Sequence, residues 1–144
     1  MTINEIQNQI IEEFEVLGGD REMMVDYIME LGHKLAPLPE QYQTDDNLIK
    51  GCMSKVWLHS QFQDGNVVFL ADSNTGVTKG LISLLVRVLS GQKPAQIANA
   101  DLYFIEKIGM SNVIGTQRSN GLASMMKQMK LYAIAYAAQQ QQAG

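Results

Sequence analysis

One side chain has the chemistry of a soft nucleophile. Cys52 is the only cysteine among 144 residues. It lies in Ile49-Lys50-Gly51-Cys52-Met53-Ser54-Lys55-Val56-Trp57, behind a glycine and ahead of a run rich in strand formers. Buried free cysteines commonly serve as small hydrophobes. The neighbours point the other way. Gly51 allows backbone angles that other residues resist, and Lys50, Ser54 and Lys55 are polar, so the pair reads as a loop-to-strand junction. A thiol acts as its thiolate, which nearby positive charge favours; Lys50 and Lys55 are the candidates for that charge.

The partners that most thiol chemistries need are missing. A papain-type enzyme sets a histidine beside the thiol, but the histidines are His33, near a helix end, and His59, inside the strand run. Along an extended strand His59 would be over about 20 Å from Cys52. A lone cysteine rules out dithiol exchange within the chain and makes a structural zinc site a weak reading. Gly76 and Gly80 match neither nucleotide-binding fingerprint. What remains is a thiol without an evident base, able to take a sulfur atom from another protein's persulfide. Arg118 has two readings: a local salt bridge or backbone contacts at a helix start, or a contact to the Cys52 loop or a partner. Asp72 reads as a turn or cap residue, Lys79 as solvated, and Trp57 as core packing beneath the loop.

The elements that position these residues follow from periodicity and punctuation. Thr2 and Glu5 form a capping box, and Ile3, Ile6, Ile10, Phe14 and Leu17 recur at helical spacing until Gly18-Gly19. Asp20 caps a second helix with Met24, Tyr27, Ile28 and Leu31 inward. Pro37 and Pro39 enforce an extended, turn-rich passage. Residues 56–62 and 67–71 read as two strands around the turn Asp64-Gly65-Asn66. N-cap candidates at 72–76 precede a helix buried through Val77, Leu81, Leu84, Leu85, Val88 and Leu89. Pro94 suits the first turn of a short helix, Asp101 caps another short piece through Ile108, and 109–112 is a connector. The last helix starts at Ser119 or Asn120, and residues 138–144 are expected to fray. This order predicts one α+β domain, 1–144, with helices covering a small antiparallel sheet.

Composition narrows the partners. The net charge of −4 and the absence of a basic run argue against nucleic acid. The N-terminus lacks a signal-peptide pattern. The longest apolar run, 81–89, is far short of the ~20 residues that span a membrane. A free thiol fits a reducing cytoplasm.

The stretch 49–57 resembles the signature of the SufE family, sulfur acceptors and activators of pyridoxal-phosphate cysteine desulfurases in iron–sulfur cluster assembly. Asp72-Ser73 with Val77-Thr78-Lys79-Gly80-Leu81-Ile82 resembles the family's second block. Ser90-Gly91 with Pro94 and Ile97 resembles the loop and short helix after it. Thr116, Arg118, Gly121-Leu122 and Met125 resemble the third block, and residues 27–32 also fit. The chain departs where relatives carry a His-Leu-Ser run before the arginine, reading Asn112-Val113-Ile114-Gly115-Thr116-Gln117-Arg118 instead, and where Asn74 replaces a frequent aspartate.

The resemblance implies the SufE/NifU (IscU-like) fold and a persulfide carried on Cys52. Gly51, Ser54, Asp72 and Arg118 would support the loop. It also implies a SufS-like desulfurase and a SufBCD-like scaffold as partners. No cofactor is expected in this chain, since the pyridoxal phosphate belongs to the desulfurase. A thiol-dependent peroxide reductase and an interaction module with an inert thiol are the alternatives. A cluster scaffold is disfavoured because it needs several cysteines.

Overall fold

The computed structural model describes residues 1–143. Helices α1 (Ile3–Glu15) and α2 (Arg21–His33) lead into an extended strap with two short 3₁₀ turns, Glu40–Tyr42 and Asp45–Asn47. The hairpin β1 (Val56–Gln63) and β2 (Asn66–Ser73) follows. Then come α3 (Gly76–Leu89), α4 (Pro94–Ala98), α5 (Phe104–Lys107) and α6 (Met110–Ala143). The fold class is α+β, as expected.

Local chemistry accounts for most boundaries. The Thr2–Glu5 capping box forms in both directions, at 3.0 and 3.1 Å, and the Asp20 carboxylate accepts the Met23 N–H at 3.0 Å. The strands pair antiparallel from Val56↔Ser73 to Gln63↔Asn66. Asp64 and Gly65 both have positive φ, 52° and 83°, the combination a two-residue primed turn requires.

The pleat then sorts the side chains. Val56, Leu58, Val67, Phe69 and Ala71 are buried on the core face. There they meet α3, whose Leu81, Leu84, Leu85, Val88 and Leu89 are buried. Further along that face the Phe62 ring stacks on Tyr136 of α6.

The opposite face is covered by the strap. The Leu38 N–H donates to Asp72 Oδ2 at 3.4 Å. Tyr42 stacks on His59 with ring centroids 3.7 Å apart. Trp57 is therefore only half-buried on the strap side and not in the core, because its neighbours Val56 and Leu58 take the inward positions. A two-stranded sheet is marginal alone; here both faces are occupied.

Several boundaries differ from expectation. Thr75 caps α3 without a side-chain hydrogen bond. Its hydroxyl donates to Ser54 instead. Asp101 does not cap α5, whose cap residue is Tyr103. The Asp101 carbonyl instead accepts from the buried Gln7 side chain, which also takes the Phe104 N–H and so ties α1 to the chain before α5.

The last element, α6, opens with a short helical segment from Met110 and breaks at Gly115, where φ 83° and ψ 174° leave the helical region; the long helix after the break starts at 116, a few residues before the expected 119–120. The glutamine run at 139–142 continues α6 to Ala143; Gly144 lies outside the described residues.

Candidate functional site

The Cys52 loop bridges the strap and β1, and it is fastened at both ends. On the N-terminal side Ile49 is buried, and its N–H bonds the Val56 carbonyl at 2.9 Å. On the C-terminal side the Lys55 N–H bonds Asn74 Oδ1 at 3.0 Å, and the Asn74 N–H returns to the Lys55 carbonyl at 3.2 Å. The Ser54 hydroxyl accepts from Thr75 at 2.8 Å and from Thr78 at 3.5 Å. Between these anchors sits Gly51 with φ 93°, a left-handed conformation that glycine adopts without strain. Met53, at the crest, is 81% exposed. The loop is thus tied at its feet, with a glycine beside the reactive residue.

Cys52 itself is half-buried. Its Sγ lies 3.5 Å from the Gly121 carbonyl oxygen on α6, within reach of a weak S–H donation. A cavity of about 440 Å³ opens at the sulfur. Its lining includes the apolar Leu81, Ile114 and Met125 and the polar Thr116 and Arg118. Burial pushes the Cys52 thiol above the ordinary cysteine value, because a low-polarity setting disfavours the thiolate. Lys50 and Lys55, the candidates for a charge near the sulfur, are exposed and are not among the causes that set the thiol's ionisation here. In this position the sulfur is sheltered and its thiol form is favoured over the thiolate.

The break at Gly115 shapes the cavity's electrostatics. It restarts α6 at Thr116-Gln117-Arg118, whose backbone N–H groups fall in the first turn of a long helical segment. Such groups lack intrahelical acceptors and favour negative charge. Arg118 is exposed and makes no ion pair among the described residues. Its salt-bridge reading is therefore not met; the side chain lines the cavity beside Cys52.

The other sequence candidates separate cleanly. Gly51 and Ser54 stand in the loop. Asp72 stays out of the cavity and acts as a joint: it accepts the Ser73 and Leu38 N–H groups and pairs with Lys79 at 3.3 Å. Lys79, expected to be solvated, is largely covered, with its side chain 25% exposed. Neither histidine lines the cavity. His33 is exposed, and His59 sits under Tyr42 on the strap side. No cluster of metal-ligating side chains occurs among the described residues.

Sequence reasoning gave no role to Ile114, Gly115 or Thr78, all of which line the cavity. A glycine between Ile114 and Thr116 was the available signal for a helix break there.

Comparison with known proteins follows the same line. The family described as "SufE: Fe-S metabolism associated domain" matches residues 8–133. The chain is 34% identical over 135 residues to SufE-like protein 1, chloroplastic/mitochondrial, of Arabidopsis thaliana, covering 92% of this chain but 36% of the plant protein. It is 37% identical over 128 residues to an uncharacterized SufE-like protein of Rhizobium etli, covering 85% of this chain and 86% of that one. A SufE-like protein of Synechocystis is 31% identical over 128 residues, with 89% and 80% covered. Among solved structures, a hypothetical protein from Thermus thermophilus superposes with a TM-score of 0.76 at 18% identity, covering 92% of this chain and 96% of that one. At that identity the likeness speaks for the fold.

Proposed function

The chain belongs to the SufE family of iron–sulfur metabolism, and from that premise we propose that it accepts sulfur on Cys52 from a SufS-like, pyridoxal-phosphate-dependent cysteine desulfurase. The sulfur passes on to a SufBCD-like cluster scaffold. The reaction is an exchange with no net redox change. The Cys52 thiolate attacks the terminal sulfur of the donor's persulfide; a new S–S bond forms at Cys52, the donor's S–S bond breaks, and the donor cysteine leaves as thiolate. The donor carries the cofactor chemistry, so this chain supplies a nucleophile and a place to keep the product.

The observation that carries the reading is the setting of Cys52. It is the sole cysteine, on a loop tied only at its feet, its sulfur facing a cavity with room for one more atom. Retracted, the sulfur is sheltered and its thiol form is favoured. Outward rotation about Gly51 would return it to water and raise the thiolate fraction where the donor waits. Once loaded, the persulfide anion re-enters a cavity bordered by the helix restart at Thr116 and by Arg118, which favour its charge.

No helix among the described residues is long and apolar enough to cross a membrane. We place the activity in a reducing compartment, the cytoplasm, on the strength of the free thiol.

The test is direct. The protein is incubated with a cysteine desulfurase, pyridoxal phosphate and cysteine, and intact mass is recorded. An adduct of about 32 Da, one sulfur atom, is expected on Cys52. If the adduct never forms while the desulfurase turns over, the proposal is wrong. Turnover of peroxide with an external thiol, without any desulfurase, would favour the reductase alternative.

A further inference from the structure

The thiol rests on a helix position that has no side chain. Gly121 lies within α6 and has none of the positive φ found at Gly51 or Gly115, so its backbone does not require glycine. In a helix interior glycine costs about 1 kcal/mol relative to alanine. What stands opposite it is the reactive residue. A Cβ built on Gly121 would meet Cys52 Sγ at 3.4 Å, Cα at 3.8 Å and Cβ at 3.9 Å, and these are its three nearest atoms. The Gly121 carbonyl is also the acceptor facing the sulfur. One turn on, Ser124 faces Gly51 across the same contact.

We propose that Gly121 is the positioning residue that sets how deeply Cys52 retracts, and with it the reactivity of the sulfur between transfers. The inference rests on the sulfur-carrier reading and adds a residue to it. A side chain at 121 that reaches past the methyl position would occupy the space that the resting thiol takes. A methyl group meets the sulfur at ordinary contact distance and leaves it close to its resting place. A leucine overlaps the resting position and holds the loop outward. The thiol then regains water, and its ionisation returns toward that of a free cysteine.

The test uses the free protein and iodoacetamide, with alkylation followed by intact mass from neutral to alkaline pH. Parent, Gly121→Ala and Gly121→Leu are compared. Parent and Ala are expected to react alike, and Leu faster. The Leu variant should gain about tenfold at neutral pH for each unit by which the thiol's apparent pKa falls. A purely structural role for Gly121 would move the thermal midpoint and leave the pH profile in place.

A folded Leu variant whose alkylation profile overlays the parent's would overturn the proposal. Where leucine prevents folding, Gly121→Val decides: its side chain reaches past the methyl position, and its rate must still rise by about twofold or more. Because no desulfurase is present, this outcome is independent of the sulfur-loading experiment. Parent protein that never gains sulfur defeats the carrier reading. Unchanged alkylation in the leucine or valine variant defeats the role of Gly121.

Discussion

Two pairs of elements in this molecule meet through glycine, and they meet differently. Between α2 and α3 the contact is backbone on backbone. A Cβ on Gly80 would lie 2.0 Å from the Ile28 carbonyl oxygen, and one on Gly32 would lie 2.7 Å from the Gly80 nitrogen. Neither atom can move without moving a helix. Between the Cys52 loop and α6 the contacts run through side chains. Gly121 faces the Cys52 sulfur, and a Cβ on Gly51 would meet the Ser124 hydroxyl at 2.6 Å, the end of a side chain that can rotate. The first contact fixes the scaffold. The second lets a loop part from it. The same residue type serves rigidity in one place and mobility in the other, and the difference lies in what stands opposite.

That contrast can be broken by substitution, beginning with the scaffold. Gly80→Ala should cost at least about 3 kcal/mol or prevent folding, because its Cβ overlaps main chain; thermal or urea denaturation measures it. A loss under about 1 kcal/mol would show that the helix pair can yield and would erase the distinction.

A second scaffold test lies at Glu13, which ties three helices by bonding Arg87 of α3 and Tyr27 of α2. Glu13→Gln should cost about 1–2 kcal/mol, reduced from a fully buried pair because the side chains of Glu13 and Arg87 are about a third exposed.

The same cluster fixes a pH signature. The Arg87 hydrogen bond holds the Glu13 carboxyl below its ordinary 4.5, against the opposing effect of burial. Its contribution is therefore complete above the unfolded value and lost as pH falls through the lowered folded one. Tyr27 is pushed up to about 12, by burial first and then by Glu13. Its contribution is complete below the unfolded tyrosine value and lost as pH rises toward about 12. The melting midpoint should fall at both ends of the pH range, and Glu13→Gln should flatten the acid arm. An acid arm unchanged in Glu13→Gln would remove this carboxylate from the scaffold.

Changes in the loop should cost little stability and much chemistry. Gly51→Ala imposes strain at φ 93°, about 1 kcal/mol. It should also slow sulfur uptake from a desulfurase by stiffening the bend. Cys52→Ser should leave the thermal midpoint within about 0.5 kcal/mol equivalent and abolish the sulfur adduct altogether. If Cys52→Ser stimulated a desulfurase as fully as the parent, the interaction-module reading would replace the carrier.

The sequence by itself determined whatever depends on neighbours a few residues apart. The Thr2 and Asp20 caps, the Asp64-Gly65 turn and the buried stripe of α3 are local in this sense, and they were legible because spacing and residue type suffice to specify them. The lone thiol behind a glycine, and the family it belongs to, were legible for the same reason. Only the tertiary structure decided the rest. The thiol's seat on Gly121 joins positions 69 apart. The strap that moves Trp57 out of the core and the pairing that covers Lys79 likewise depend on contacts that no local pattern specifies. Whether Lys50 and Lys55 act on the thiol was likewise open in the sequence, and burial is what raises its pKa, because how easily a thiol ionises is set by the medium around the sulfur, and that medium comes from parts of the chain that folding brings to it.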